Sequence, residues 1–159
     1  MRLTVYTDYA LRVLMYLAVH TGPLPTIAQI AGSYRISRTH LMKVAHELGL
    51  AGYIETVRGK KGGLRLALPP ADIRLGDVVR RTEPDFALVP CFQSTEAVCV
   101  LSTDCRLRSV LHQAQAAFLE VLDRHTLADL VANRTVLAGL LDWADVNPGP
   151  PPGNADLRA

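Results

Sequence analysis

Cysteine is scarce in this chain. Three residues in 159 are too few for a disulfide scaffold, and their number is odd. No Cys-x-x-Cys pair is present, which excludes a thiol–disulfide enzyme of the usual design. Long apolar runs are also missing. Residues 10–19 carry Arg12 and are too short to span a bilayer. The start of the sequence, Met1 to Asp8, carries Arg2 and Asp8 and holds no uninterrupted apolar run of the kind a secretory leader has. A cytoplasmic protein with no membrane partner is expected. There is no nucleophile elbow, and the five histidines are dispersed. The glycine-rich stretch from Gly59 to Gly63 lacks both the spacing and the strand–loop–helix context of a phosphate-binding loop. No catalytic residues are expected, and the chain is not expected to be an enzyme.

What is present describes a globular protein. Hydrophobic residues make up 49% and charged residues 20%, near the averages for folded domains. The length suits one domain with an appended element, and it can bury a core without staples. The net charge of +2 hides an asymmetry. Residues 1–81 hold twelve Lys and Arg against five Asp and Glu, a net of +7; residues 82–159 hold five against ten, a net of −5. A basic half joined to an acidic half points to a polyanionic partner for the basic half, with nucleic acid the first candidate.

The order of elements in the basic half is readable. Thr7 is expected to cap a first helix running to about His20, with Tyr6 and Leu11 as a hydrophobic staple. This helix is apolar nearly all round and should be buried. Thr26 and Gln29 form a capping box at the start of a short second helix. Ser37 caps a third, whose inner face is Leu41, Val44, Ala45 and Leu48 and which Gly49 is expected to stop. The third helix is polar and basic outside, so the pair reads as a helix-turn-helix. Two β-rich segments, residues 53–58 and 64–68, flank the glycine- and lysine-rich tip and predict a hairpin. The expected fold is therefore mainly α, a winged helix-turn-helix with a β-hairpin wing. Residues at the start of a recognition helix reach base edges, so Ser37, Arg38, Thr39, His40 and Lys43 are candidate readers of double-stranded DNA. Arg58, Lys60, Lys61 and Arg65 of the wing can reach phosphate or the minor groove.

The acidic half opens with a short helix over residues 75–82, followed by an aperiodic stretch to Asp104. Thr103 or Asp104 is expected to cap the long helix that follows. Leu107, Leu111, Ala114, Phe118 and Val121 step along that helix by four and three, a coiled-coil-like seam that predicts a homodimer interface. Thr126 is expected to cap a helix to Ala132, and another should follow through residues 136–141. The expected organisation is a DNA-binding domain over residues 1–82 and a cysteine-bearing loop over 83–105. The dimerisation helix and C-terminal helices occupy 106–142, and a proline-rich disordered tail 143–159.

All three cysteines, Cys91, Cys99 and Cys105, lie at the end or boundary of the aperiodic stretch. Thiols clustered in this way read as metal-binding or redox-active rather than as a structural disulfide. Zinc sites favour tighter knuckles than the x7 and x5 gaps found. An iron–sulfur cluster is bulkier, and looser spacing can wrap it. Three thiolates leave one coordination place open in either case. His112 lies about two helical turns beyond Cys105, too far to close the same site easily. The fourth ligand is then a carboxylate or a group from another subunit. A thiol at a helix start sits where the dipole favours an anion.

Several stretches together resemble a known family. They are Met1-Arg2-Leu3-Thr4 with Tyr6-Thr7-Asp8-Tyr9-Ala10-Leu11-Arg12, Ile36 to Val44, the wing from Val57 to Leu66, and the three cysteines. The chain is similar to the Rrf family of winged-helix regulators that carry iron–sulfur clusters, over about residues 1–140, and most of all to its nitric-oxide-sensing repressors. The resemblance implies a homodimer with a cluster near the interface, 4Fe–4S favoured over 2Fe–2S, held by Cys91, Cys99 and Cys105. It also implies a fourth ligand at Asp8 of the other subunit. A repressor that releases operator DNA when its cluster is nitrosylated is the function implied. Asp8 has a plainer role as a first-turn acid favoured by the helix dipole, and Arg12, one turn later, can pair with it. The family's regulator of cluster assembly has a histidine three places after its last cysteine. Arg108 stands there in this chain, which weakens an iron- or cluster-supply reading, and the x7 gap is longer than usual. A zinc-stabilised interaction module without DNA binding is the alternative in a different class.

Overall fold

The computed structural model describes residues 2–93 and 105–146, with side chains through residue 141. Cys99 and the tail from residue 147 lie outside the described residues, as do Thr103 and Asp104. The elements are α1 (Val5–Val19), α2 (Ile27–Tyr34), α3 (Arg38–Leu50), β1 (Ile54–Val57), β2 (Gly63–Leu66), α4 (Leu75–Thr82), α5 (Arg106–Asp123), α6 (Leu127–Leu130) and α7 (Arg134–Val146). Short 3-10 turns cover Pro70–Asp72 and Pro90–Phe92.

The central element is α1. Ala10, Val13, Leu14 and Leu17 bury one face of it, and Tyr16, Leu17, Ala18 and Val19 bury its last turn all round, while Asp8 and Arg12 keep the opposite face of its first turns half exposed. Around it pack α3, α4, α6 and α7. The helix begins earlier than expected: Thr4, not Thr7, is the cap, and its Oγ1 accepts the Thr7 N–H at 3.2 Å. Thr7 is instead fully buried and donates its hydroxyl to Thr82 Oγ1 at 2.8 Å. At the start of α2 the Thr26–Gln29 capping box forms in both directions. The helix ends on Arg35, whose left-handed backbone (φ 55°) makes the sharp turn into α3. Ser37 is the cap residue of α3, yet its side chain makes no capping bond. Gly49 does not stop α3; the helix continues to Leu50, and Gly52 with φ 78° makes the turn into the wing.

The wing is an antiparallel pair with register Ile54↔Leu66, Glu55↔Arg65, Thr56↔Leu64 and Val57↔Gly63. Ile54 and Leu64 are buried, while Glu55 and Arg65 face water. Gly63 is needed for close approach: a Cβ there would lie 2.6 Å from the Leu24 carbonyl oxygen. Next to it, Leu64 donates its N–H to Pro25 O at 2.9 Å, docking the wing on the α1–α2 connection.

The C-terminal helices fold back on the DNA-binding half. Leu127 and Val131 are buried in the common core, and Leu137 and Leu141 pack against it. Leu127 donates its N–H to Ile73 O, and Leu75 to His125 O. The expected helix to Ala132 ends at Leu130, and α7 runs on to Val146, past the boundary expected at residue 142. By contrast α5 buries none of its residues and leans mainly on α4.

Candidate nucleic-acid interface and thiol loop

The inner face of α3 is buried through Leu41, Val44, Ala45 and Leu48, which turns Arg38, Thr39, His40, Met42, Lys43 and His46 to the surface. Five of the proposed base readers thus lie at one end of one helix: Ser37, Arg38, Thr39, His40 and Lys43, all exposed. The His40 ring sits 6.5 Å from that of Tyr9 on α1 and tilted to it. Across the wing, Arg58, Lys60 and Lys61 are exposed around the tip, where Gly59 adopts φ 112°. Arg65 differs from them. Its guanidinium holds the Glu55 carboxylate directly across the hairpin, with Nε donating at 2.8 Å and Nη2 at 2.6 Å. It is therefore less available to phosphate than the tip lysines.

Asp8 and Arg12 pair as their spacing suggests, Nε to Oδ1 at 3.0 Å, both about half exposed. The Arg12 guanidinium also lies over the Tyr34 ring, 5.7 Å from its centroid. Burial pushes the Tyr34 hydroxyl up to about 12, and Arg12 only partly opposes this. One arginine therefore links the Asp8 carboxylate to the last residue of α2, at the turn of the helix-turn-helix.

Of the thiols, Cys91 lies in the 3-10 turn and Cys105 at the start of α5, both partly buried and free. Cys105 caps α5, the part expected of Thr103 or Asp104, and its Sγ accepts the Arg108 N–H at 3.4 Å. Among the described residues no three of His, Cys, Asp and Glu converge as a metal site. Cys99 is not among them. Cys91 and Cys105 are free thiols, and the Cys105 sulfur faces the amide end of a helix, which is donor chemistry of the kind a thiophilic metal or cluster takes.

Contacts that sequence reasoning missed tie α4 and the residue after it to α1 and α5. Glu83 Oε1 accepts from both the Thr4 N–H (2.8 Å) and the Thr4 hydroxyl (3.0 Å), joining the root of the loop to the start of α1. Arg80 on α4 makes a two-pronged bond to Asp123 on α5, at 2.6 and 2.7 Å, which holds the Asp123 carboxyl below its ordinary range. Gly76 makes room for that pair, since a Cβ would fall on Asp123 Oδ1. Along the seam of α5, Leu107 is 65% and Val121 46% exposed, Ala114 is exposed, and Leu111 and Phe118 are half-buried. No helix among the described residues is long and apolar enough to cross a membrane.

Comparison with known proteins accords with this architecture. A family model described as Rrf2, iron-dependent transcriptional regulator, matches residues 3–133. The HTH-type transcriptional regulator NsrR of Bacillus subtilis is 52% identical over 142 residues, covering 89% of this chain and 97% of that protein. Among solved structures, the global cysteine regulator CymR of B. subtilis aligns with a TM-score of 0.68 at 25% identity, covering 84% of this chain and 98% of that chain. IscR of T. potens aligns with a TM-score of 0.65 at 28% identity, over 84% and 88%. The chain belongs to the Rrf2 family and is a transcriptional regulator of the NsrR type, not an enzyme.

Proposed function

We propose that this regulator is a cytoplasmic homodimeric repressor whose hold on operator DNA depends on an iron–sulfur cluster and is lost on exposure to nitric oxide. The observation that carries the reading is the coexistence of two surfaces on one small chain. One is an exposed basic reading head on α3 and the wing; the other is a thiol loop ending in the cap of an unburied helix. Residues Cys91, Cys99 and Cys105 would hold the cluster, with Asp8 of the other subunit as fourth ligand, and 4Fe–4S is the favoured type. Such a cluster supplies iron able to react with nitric oxide.

The chain's own residues then couple that site to DNA. No described residue of the 18-residue α5 is fully buried, and its apolar seam of Leu107, Leu111, Ala114, Phe118 and Val121 suits a second copy. Loss of a ligand removes one of the ties on the limb that carries Cys91 and so changes how that limb and α5 pack. The Asp8–Arg12–Tyr34 contacts carry a change at Asp8 to the helix-turn-helix in two steps. The spacing of two reading heads follows, and a dimer matches operator half-sites only at one spacing.

Anaerobic purification followed by visible absorption and an operator mobility shift, each before and after nitric oxide, tests the proposal. A coloured protein with iron and acid-labile sulfide that releases DNA with nitric oxide is expected. Stoichiometric zinc without sulfide would overturn it, as would DNA binding indifferent to nitric oxide.

A further inference from the structure

The loop limb that carries Cys91 is strapped to α5 by contacts that neither the helix-turn-helix nor the dimer seam requires. The Phe92 ring lies flat on the His112 imidazole, with centroids 3.9 Å apart and planes within 10° of parallel. One turn further along α5, Gln115 donates its side-chain amide to Phe86 O at 2.9 Å. Between the two contacts is a cleft that Asp85 and Gln93 also line. Phe92 is the residue after Cys91, and His112 stands on the same helix that Cys105 caps. The two thiols are therefore referred to one rigid rod: Cys105 by its place at the end of α5, Cys91 through the ring next to it.

We propose that His112 and Gln115 are positioning residues for the thiol site, with α5 as the ruler that sets where Cys91 stands relative to Cys105. His112 acts with its ring face, through Phe92, and not as a ligand. The imidazole is exposed and the helix is continuous on both sides of it. Its replacement therefore leaves the fold intact while releasing the strap. The idea rests on the proposed thiol site for its purpose, but its geometry can be tested without any cluster.

In metal-free protein the Phe92 and Gln93 amides donate to Val89 O and Pro90 O, and their hydrogen exchange reports whether the limb is held. H112A should speed exchange of these two amides about two- to tenfold, the factor by which one aromatic pair of ordinary strength keeps a segment closed. H112F, which keeps a ring face and removes both nitrogens, should restore the wild-type rate. F92A should mimic H112A, and the double variant should add nothing further. In the cluster-loaded protein, bleaching of visible absorption by an iron chelator should be faster in H112A and normal in H112F. Exchange unaltered in H112A overturns the proposal, and so does an H112F protein that behaves like H112A. A wild-type protein that never takes up a cluster would defeat the proposed function, whereas the exchange measurements would still decide on the strap.

Discussion

The wing offers a quantitative test, because the structure divides its cations into two kinds. Lys60 and Lys61 project from the tip, whereas Arg65 is tied to Glu55 across the hairpin at 2.6 Å. Each phosphate that a cation neutralises contributes about 0.9 to the slope of log affinity against log salt. In a homodimer each substitution counts twice, so a lysine that meets phosphate accounts for about 1.8 of that slope. Over a fourfold rise in salt, such as from about 50 to 200 mM, that is roughly a twelvefold share of the affinity loss. K60A and K61A should each flatten the slope by up to this amount and weaken random-sequence and operator DNA alike. R65A should flatten it less, because the arginine must first leave its carboxylate. E55A should do the reverse: it removes an anion and frees the guanidinium, so the slope steepens and non-specific affinity rises. Fluorescence anisotropy of a labelled operator and a scrambled duplex, titrated at several salt concentrations, gives all four slopes. An R65A slope that falls as far as that of K60A would show that the Glu55 pair does not hold in solution. Lysine variants with unaltered slopes would remove the wing from the phosphate backbone altogether.

Other expectations follow from single contacts. E83A leaves the Thr4 N–H and hydroxyl without their shared acceptor and should cost about 1–3 kcal/mol in urea unfolding at fixed protein concentration, with an unchanged m-value; a loss below about 0.5 kcal/mol would mean water serves Thr4 as well. G63A presses a methyl group against the Leu24 backbone and should cost about 1–3 kcal/mol by thermal or urea melts, loosening the wing while leaving α3 in place. D8A breaks a half-exposed pair worth no more than about 1 kcal/mol, so stability should barely move; if Asp8 is a ligand, the visible spectrum should shift and the cluster become labile. A D8A protein with wild-type absorption and nitric oxide response would return Asp8 to the role of a helix-start acid.

Much of the reading head was legible in the sequence because its determinants are local. Thr26 and Gln29 are three residues apart and cap each other whatever the rest of the chain does. The hairpin register follows from a tip centred on Lys60, which also sets Glu55 opposite Arg65, a pair that sequence reasoning could have drawn and did not. The short helix expected over residues 75–82 forms as α4, and Leu75, Val78 and Val79, spaced three and four apart, make its buried face. Caps were less secure where several candidates stood in a row. Thr4 took the place expected of Thr7 because Glu83 anchors its amide and hydroxyl, and Glu83 is 79 residues away. Similarly, Leu127 is fully buried in one cluster with Leu14 and Ile73, residues far apart in sequence that no local spacing links. What the one-dimensional pattern cannot carry is the set of contacts that tie α1, α4, α5 and the Cys91 limb together: Glu83 to Thr4, Arg80 to Asp123, Phe92 to His112. None has a local motif, and each brings together residues at least twenty positions apart. In the proposed reading a change at the thiols reaches α5 through Phe92 and His112, beside the route from Asp8 to Tyr34. A regulator needs its signal site and its DNA site to be separate in sequence yet joined in space, so the link between them is the part that local patterns are least able to announce.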